Sequence, residues 1–191
     1  MSMLKRCASL AVAAVSVLVV GLAGPASAET AGSRAAFGEQ ARAAGLGSVD
    51  AKALQAKVDR YLARHDGRQI AANEIALPGG AKLTVTVPGE KYVRVLGTSA
   101  GSRAAAQWEC DQEYFCMYRE MLGMGDRLAL YYCQDYALQD WTDYGSYYNL
   151  QTPGTQARMK DRNRTVIDTT PPAPFGHSSY DWTPVWFVRP C

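Results

Sequence analysis

The chain has 191 residues, and its 20 Lys and Arg against 18 Asp and Glu leave a formal charge of only +2, which excludes the basic surface that electrostatic nucleic-acid binding needs. Two histidines, with no Gly-x-Ser-x-Gly, His-Glu-x-x-His or phosphate-loop motif, leave no coherent catalytic site, so the chain is not read as an enzyme and no catalytic residue is assigned.

The first 28 residues read as an export signal. Lys5 and Arg6 precede an almost wholly apolar stretch from Leu10 to Ala23, and Ala26-Ser27-Ala28 offers a small-x-small cleavage site. The stretch is too short to span a bilayer comfortably. Cys7 leaves with it, and removing Lys5 and Arg6 brings the formal charge to zero. The expectation is a secreted, extracellular protein that begins at Glu29 and has no membrane span after cleavage.

Residues 29–97 carry few aromatics and read as a small helix-plus-β-hairpin segment. Glu29 to Gly47 is Ala- and Gly-rich and predicts disorder or a frayed helix. Ser48 is placed to cap a helix running from Val49 to about His65, with Leu54, Val58, Tyr61 and Leu62 on one face. Pro78-Gly79-Gly80 signals a turn, and Leu83-Thr84-Val85-Thr86-Val87 alternates as a half-buried strand does. A unit this small buries little core by itself, so it either packs on the C-terminal half of the chain or serves as a pro-segment. Residues 98–106 read as a linker.

Residues 107–191 read as a second, all-β domain, and 16 of the 19 aromatic residues lie between Trp108 and Phe187. Phe115–Tyr118 and Arg127–Tyr132 predict a hairpin around Gly123-x-Gly125. Leu138 and Trp141 anchor a crossing segment, and Ser146–Tyr148 predicts a further strand. Ala157–Asp161 and Thr165–Ile167 flank an Arg162-Asn163-Arg164 turn, and Val185–Val188 closes the domain. Pro171–Gly176 and the stretch around His177 read as connector.

Four cysteines remain after export, Cys110, Cys116, Cys133 and Cys191, and an even count in an oxidising compartment predicts two disulfides. Three pairings exist; Cys110 with Cys116 and Cys133 with Cys191 is preferred. Zinc would want paired knuckles or nearby histidines, so no metal or other cofactor is expected.

Cys110-x5-Cys116-x-Tyr118, Gly125-Asp126-Arg127-Leu128, Cys133, Leu138, Trp141 and Asn149-x-Gln151-Thr152 resemble the streptomycete metalloproteinase-inhibitor family over residues 107–191. The resemblance implies a β,γ-crystallin-like Greek-key sandwich at the C-terminus and, as partner, an extracellular peptidase. Two departures accompany it. Gly123 occupies the second aromatic position of the crystallin hairpin pattern, and the second short cysteine pair that clamps the family's reactive loop is missing. Thr142–Tyr147 lacks one acid and one hydroxyl of the calcium pattern, so calcium binding is expected to be weak or absent.

The candidate inhibitory loop is Met121-Leu122-Gly123-Met124, apolar residues at a hairpin tip; the bland alternative is an ordinary turn folded over the sheet. A second reading makes the domain a carbohydrate or cell-envelope binding module, with Tyr131, Tyr132, Tyr147, Tyr148 and Trp182 offering ring faces to a polymer such as cell-wall polysaccharide. Alternation predicts that one of Tyr131 and Tyr132, and one of Tyr147 and Tyr148, points inward. A purely structural extracellular role is the third option.

Overall fold

The computed structural model describes residues 26–97 and 105–191, with backbone alone for 26–31. The apolar stretch and most of the linker lie outside the described residues. Among those described, no helix is long and apolar enough to cross a membrane.

Two helices come first, α1 (Ala26–Ala43) and α2 (Ser48–Leu62). The Ala-rich stretch expected to fray forms α1, because Ala41 and Phe37 pack on the core and Gln40 Oε1 accepts a bond from the Ala72 amide at 2.8 Å. Leu54, Val58 and Tyr61 form the buried face of α2. Its cap is Gly47 rather than Ser48, which is already helical and makes no side-chain cap bond.

Among the described residues eleven short strands follow: β1 (Arg68–Ala71), β2 (Glu74–Ala76), β3 (Lys82–Thr84), β4 (Phe115–Tyr118), β5 (Arg127–Leu130), β6 (Tyr136–Ala137), β7 (Tyr144–Asn149), β8 (Arg158–Lys160), β9 (Val166–Thr169), β10 (Phe175–Asp181) and β11 (Phe187–Arg189). They build two antiparallel sheets, ordered β1-β2-β3-β5-β4-β7-β10 and β6-β11-β8-β9. The protein is therefore mainly β. The segment read as connector contains β10, the longest strand. Register shifts between His177 and Tyr180 absorb the irregular sequence.

The seven-stranded sheet runs across the expected domain boundary. Leu83 of β3 pairs with Leu128 of β5, so residues before and after the linker share one ladder. One core cluster serves both sheets: Phe115, Met117, Leu130 and Tyr147 meet Met159, Val188 and Trp182, while Leu54, Val58 and Ile75 join from the N-terminal side. The opposite face of β4 and β5 is covered as well. Cys116, Tyr118 and Ala129 pack beneath Trp108, Cys110, Tyr114 and Tyr148. All of Phe115–Tyr118 and Arg127–Leu130 is consequently buried, and alternation there separates two apolar covers rather than core from water.

Buried polar groups tie the two chain segments together. The Asp126 carboxylate accepts bonds from Lys57 Nζ (2.6 Å), the Tyr61 hydroxyl (2.6 Å), the Thr86 amide (2.8 Å) and the Thr86 hydroxyl (2.7 Å). Arg127, also buried, donates to Thr84 Oγ1 at 3.0 Å and the Glu109 carbonyl at 2.9 Å. These partners explain why Thr84 and Thr86, expected to be half in solvent, are buried. Asn73 donates to the carbonyls of Val85 and Arg94 and accepts from the Leu96 amide, closing the loop after β3.

Candidate functional site

The preferred cysteine pairing is present: Cys110 bonds Cys116, and Cys133 bonds Cys191. The first disulfide ties residues 105–114 to β4, and the second ties the C-terminus to the end of β5.

The candidate loop is a tight turn at the tip of the β4–β5 hairpin. Met121 and Leu122 stand 46% and 48% exposed, while Gly123 is buried beneath them. The Gly123 amide donates to Ser146 Oγ at 2.9 Å, and the Ser146 hydroxyl donates to the Glu120 carbonyl at 2.7 Å. Ser146 is fully buried, so this one side chain on β7 pins the folded hairpin. Trp108 packs below: a Cβ at Gly123 would stand 2.9 Å from the Trp108 nitrogen, and φ there is 74°, so only glycine fits. Trp108 thus packs against Gly123 from outside the hairpin. Leu122 adopts φ 60° and ψ 28°, so the loop is a left-handed turn and not the extended backbone of a bound peptide substrate.

The five candidate aromatics separate. Tyr131 and Tyr132 are both solvent-facing, at 41% and 58% exposed, against the expectation that one would point inward. β5 ends at Leu130, and the chain then turns through Tyr132 and Gln134, whose amide donates to the Tyr132 carbonyl at 2.9 Å. Tyr114, Tyr131 and Tyr132 form a row of rings, tilted at the first contact and edge-to-face at the second, with centroids 5.0 and 5.1 Å apart. Tyr147 points inward as expected, but Tyr148, expected to be exposed, is half-buried because it packs on Cys116, Tyr118 and Ala129. Burial, reinforced by Asp168, pushes the Tyr147 hydroxyl up to about 12. Tyr147 and Trp182 therefore cannot belong to a binding surface: Trp182 is wholly buried, and its ring lies 4.6 Å from that of Tyr180.

The histidines are likewise packed against rings, His65 near Tyr61 and His177 stacked on Tyr147 at 5.5 Å. Within Thr142–Tyr147, the stretch closest to the calcium pattern, the Ser146 hydroxyl is committed to the hairpin. Among the described residues, no cluster of three or more His, Cys, Asp or Glu is placed to hold a metal ion.

One concavity has no signature in the sequence. Residues 138–142, Thr183, Val185 and Trp186, with Arg64 from just beyond α2, line a groove of about 550 Å³. Of the two tryptophans in its lining, Trp186 is 49% exposed and Trp141 is buried. Its members are scattered along the chain, so no spacing could have announced it.

Compared with known proteins, the chain matches no family model, no curated protein and no solved structure at a significant level.

Proposed function

We propose that the protein is a secreted peptidase-inhibitor-like binding protein, whose residues 105–191 form two paired Greek keys of the β,γ-crystallin kind. The strand order supports the fold reading. β4, β5 and β7 lie in one sheet and β8, β9 and β11 in the other, while the remaining strand of each group, β6 and β10, sits in the sheet of the other group.

The observation that carries the function is the Met121–Leu122 turn. Two large apolar side chains stand half in solvent on a backbone locked by Ser146, Gly123 and Trp108. Holding apolar groups in water stabilises nothing in the free protein, whereas a partner with an apolar subsite gains their burial and loses little entropy, because the turn is already ordered. A thermolysin-like metalloprotease offers such a subsite, as the family resemblance implies. Given the left-handed turn at Leu122, the contact is made by side chains entering the cleft rather than by strand-like pairing.

Titrating a thermolysin-like metalloprotease with the mature protein tests this. Stoichiometric inhibition is expected, weakened about 100-fold by Leu122→Asp. Absence of inhibition by folded, disulfide-bonded protein would remove the reading.

A further inference from the structure

We infer that the groove between loop 138–143 and residues 183–186 is a binding site for an uncharged pyranose unit of a β-linked polysaccharide. A pyranose ring presents an apolar C–H face and a rim of hydroxyls. It needs an exposed aromatic plane, planar or paired hydrogen-bonding groups at the edge, and a wall that is rigid before the sugar arrives. The groove supplies all three.

The plane is Trp186, whose indole is half in solvent although indoles are usually buried in a domain of this size. The rim holds the Gln139 amide, the Asp140 carboxylate, the Arg64 guanidinium and the Thr183 hydroxyl. Between them they offer both donors and acceptors, as vicinal hydroxyls require. Arg64 and Asp140 face each other at 3.2 Å and cancel in charge, and among the described residues the groove has no other charged lining residue. The cancelled pair favours a neutral sugar over a phosphate or a uronate, and because the Arg162 guanidinium lies over the Trp186 ring, 5.9 Å from its centre, the sugar stacks on the opposite face of the indole.

Rigidity comes from the two walls being bonded to each other. The Leu138 amide donates to the Trp186 carbonyl at 2.9 Å, the Asp143 amide to Thr183 Oγ1 at 3.2 Å, and the Trp182 amide to the Asp143 carbonyl at 3.0 Å. The Trp186 amide is held by the Lys160 carbonyl at 2.8 Å. Asp140 and Asp143 both sit at positive φ, 56° and 65°, conformations that cost energy and turn the backbone between them. Behind Asp140, the Arg119 guanidinium donates to its carbonyl and lies 4.7 Å from the centre of the Trp141 ring, bracing the inner wall. Tyr131 and Tyr132 do not line this groove. The sugar site is therefore placed at Trp186, a different surface from the Met121–Leu122 turn, and it stands or falls independently of peptidase binding.

The test is a tryptophan-fluorescence and calorimetric titration of the mature protein with two neutral β-1,4-linked probes, chitohexaose and cellohexaose. Saturable binding of at least one, with Kd of about 1 mM or tighter, is expected. Trp186→Ala should weaken it by at least about tenfold and Gln139→Ala by several-fold, while Trp186→Phe retains most of the affinity and Tyr131→Ala/Tyr132→Ala leaves it unchanged. Because Trp186 is exposed, its variants are expected to keep the wild-type circular dichroism. The proposal is overturned if neither sugar binds up to about 5 mM. It is equally overturned if Trp186→Ala binds like wild type, or if the tyrosine double variant abolishes binding.

Discussion

Residues 26–97 and 105–191 contribute strands to the same sheet, yet they are secured by opposite means. The C-terminal part is cross-linked covalently twice, at the start of β4 and at the chain end. The N-terminal part has no cysteine and is held by a ladder of three residue pairs between β3 and β5 and by buried polar groups centred on Asp126 and Asn73. A covalent link restricts the unfolded chain and is indifferent to pH, whereas a buried charge with four donors is directional and depends on its ionisation. The two regions should therefore fail under different stresses, acid for one and reductant for the other.

The sharpest way to break the N-terminal side is Asp126→Ala. It strands Lys57, the Tyr61 hydroxyl and the Thr86 amide together, and a loss of about 5 kcal/mol is expected in denaturant unfolding. The same group sets the acid response. Burial opposes the Asp126 charge, but the Lys57 ammonium and the bonds from Lys57, Tyr61 and Thr86 outweigh it and hold the carboxyl below its ordinary value. A depressed pKa contributes stability that is full above about pH 4 and is lost as pH falls through the lowered value. Unfolding midpoints measured from pH 6 downward should drop in that window for the wild type and drop less in Asp126→Asn, where the lowered Asp135 and Asp181 carboxyls still contribute. A wild type without acid sensitivity would refute the assignment.

On the C-terminal side, Cys133→Ser with Cys191→Ser opens a loop of sequence separation 58, costing about 4 kcal/mol on the chain-entropy account. The Cys110–Cys116 bond, of separation 6, is worth about 2 kcal/mol on the same account. Thermal melts with and without reductant should reproduce that order, and equal effects would contradict it. The smallest change is Ser146→Ala, about 2 kcal/mol for two buried bonds. Its distinctive effect should be faster amide exchange at Gly123, without equal loosening of β4. Uniform loosening would mean that Ser146 supports the sheet rather than the turn.

Much of this architecture was legible in the sequence. The β4–β5 hairpin announced itself through Phe115–Tyr118, the glycines and the apolar run after Arg127, and the face of α2 through its helical spacing. The disulfide pairing agreed with cysteine count and proximity. Other features were hidden for physical reasons. Asp126, between Gly125 and Arg127, reads like a charged turn residue, since nothing local reveals that α2 delivers Lys57 and Tyr61 to it. β10 carries Gly, His and Ser where a strand usually carries branched residues, and its pairing with β7 overrides that weak propensity. The exposure of both Tyr131 and Tyr132 depends on β5 stopping at Leu130. Of the candidate site, Met121 and Leu122 were visible as apolar residues at a tip; the clamp by Ser146 and Trp108 came only with tertiary structure.

The reciprocal placement of β6 and β10 has a consequence for how this molecule can be taken apart. Residues 105–150 and 151–191 each lend one strand to the other's sheet, so cutting the connection between them yields no autonomous piece. A cut there would leave the N-terminal piece six strands of the seven-stranded sheet and a dangling β6, and the C-terminal piece three strands of the other sheet and a dangling β10. Because Cys133 and Cys191 lie on opposite sides of the cut, the pieces stay tethered until that disulfide is reduced, and only then should they part like halves of a clasp and regain full order on mixing.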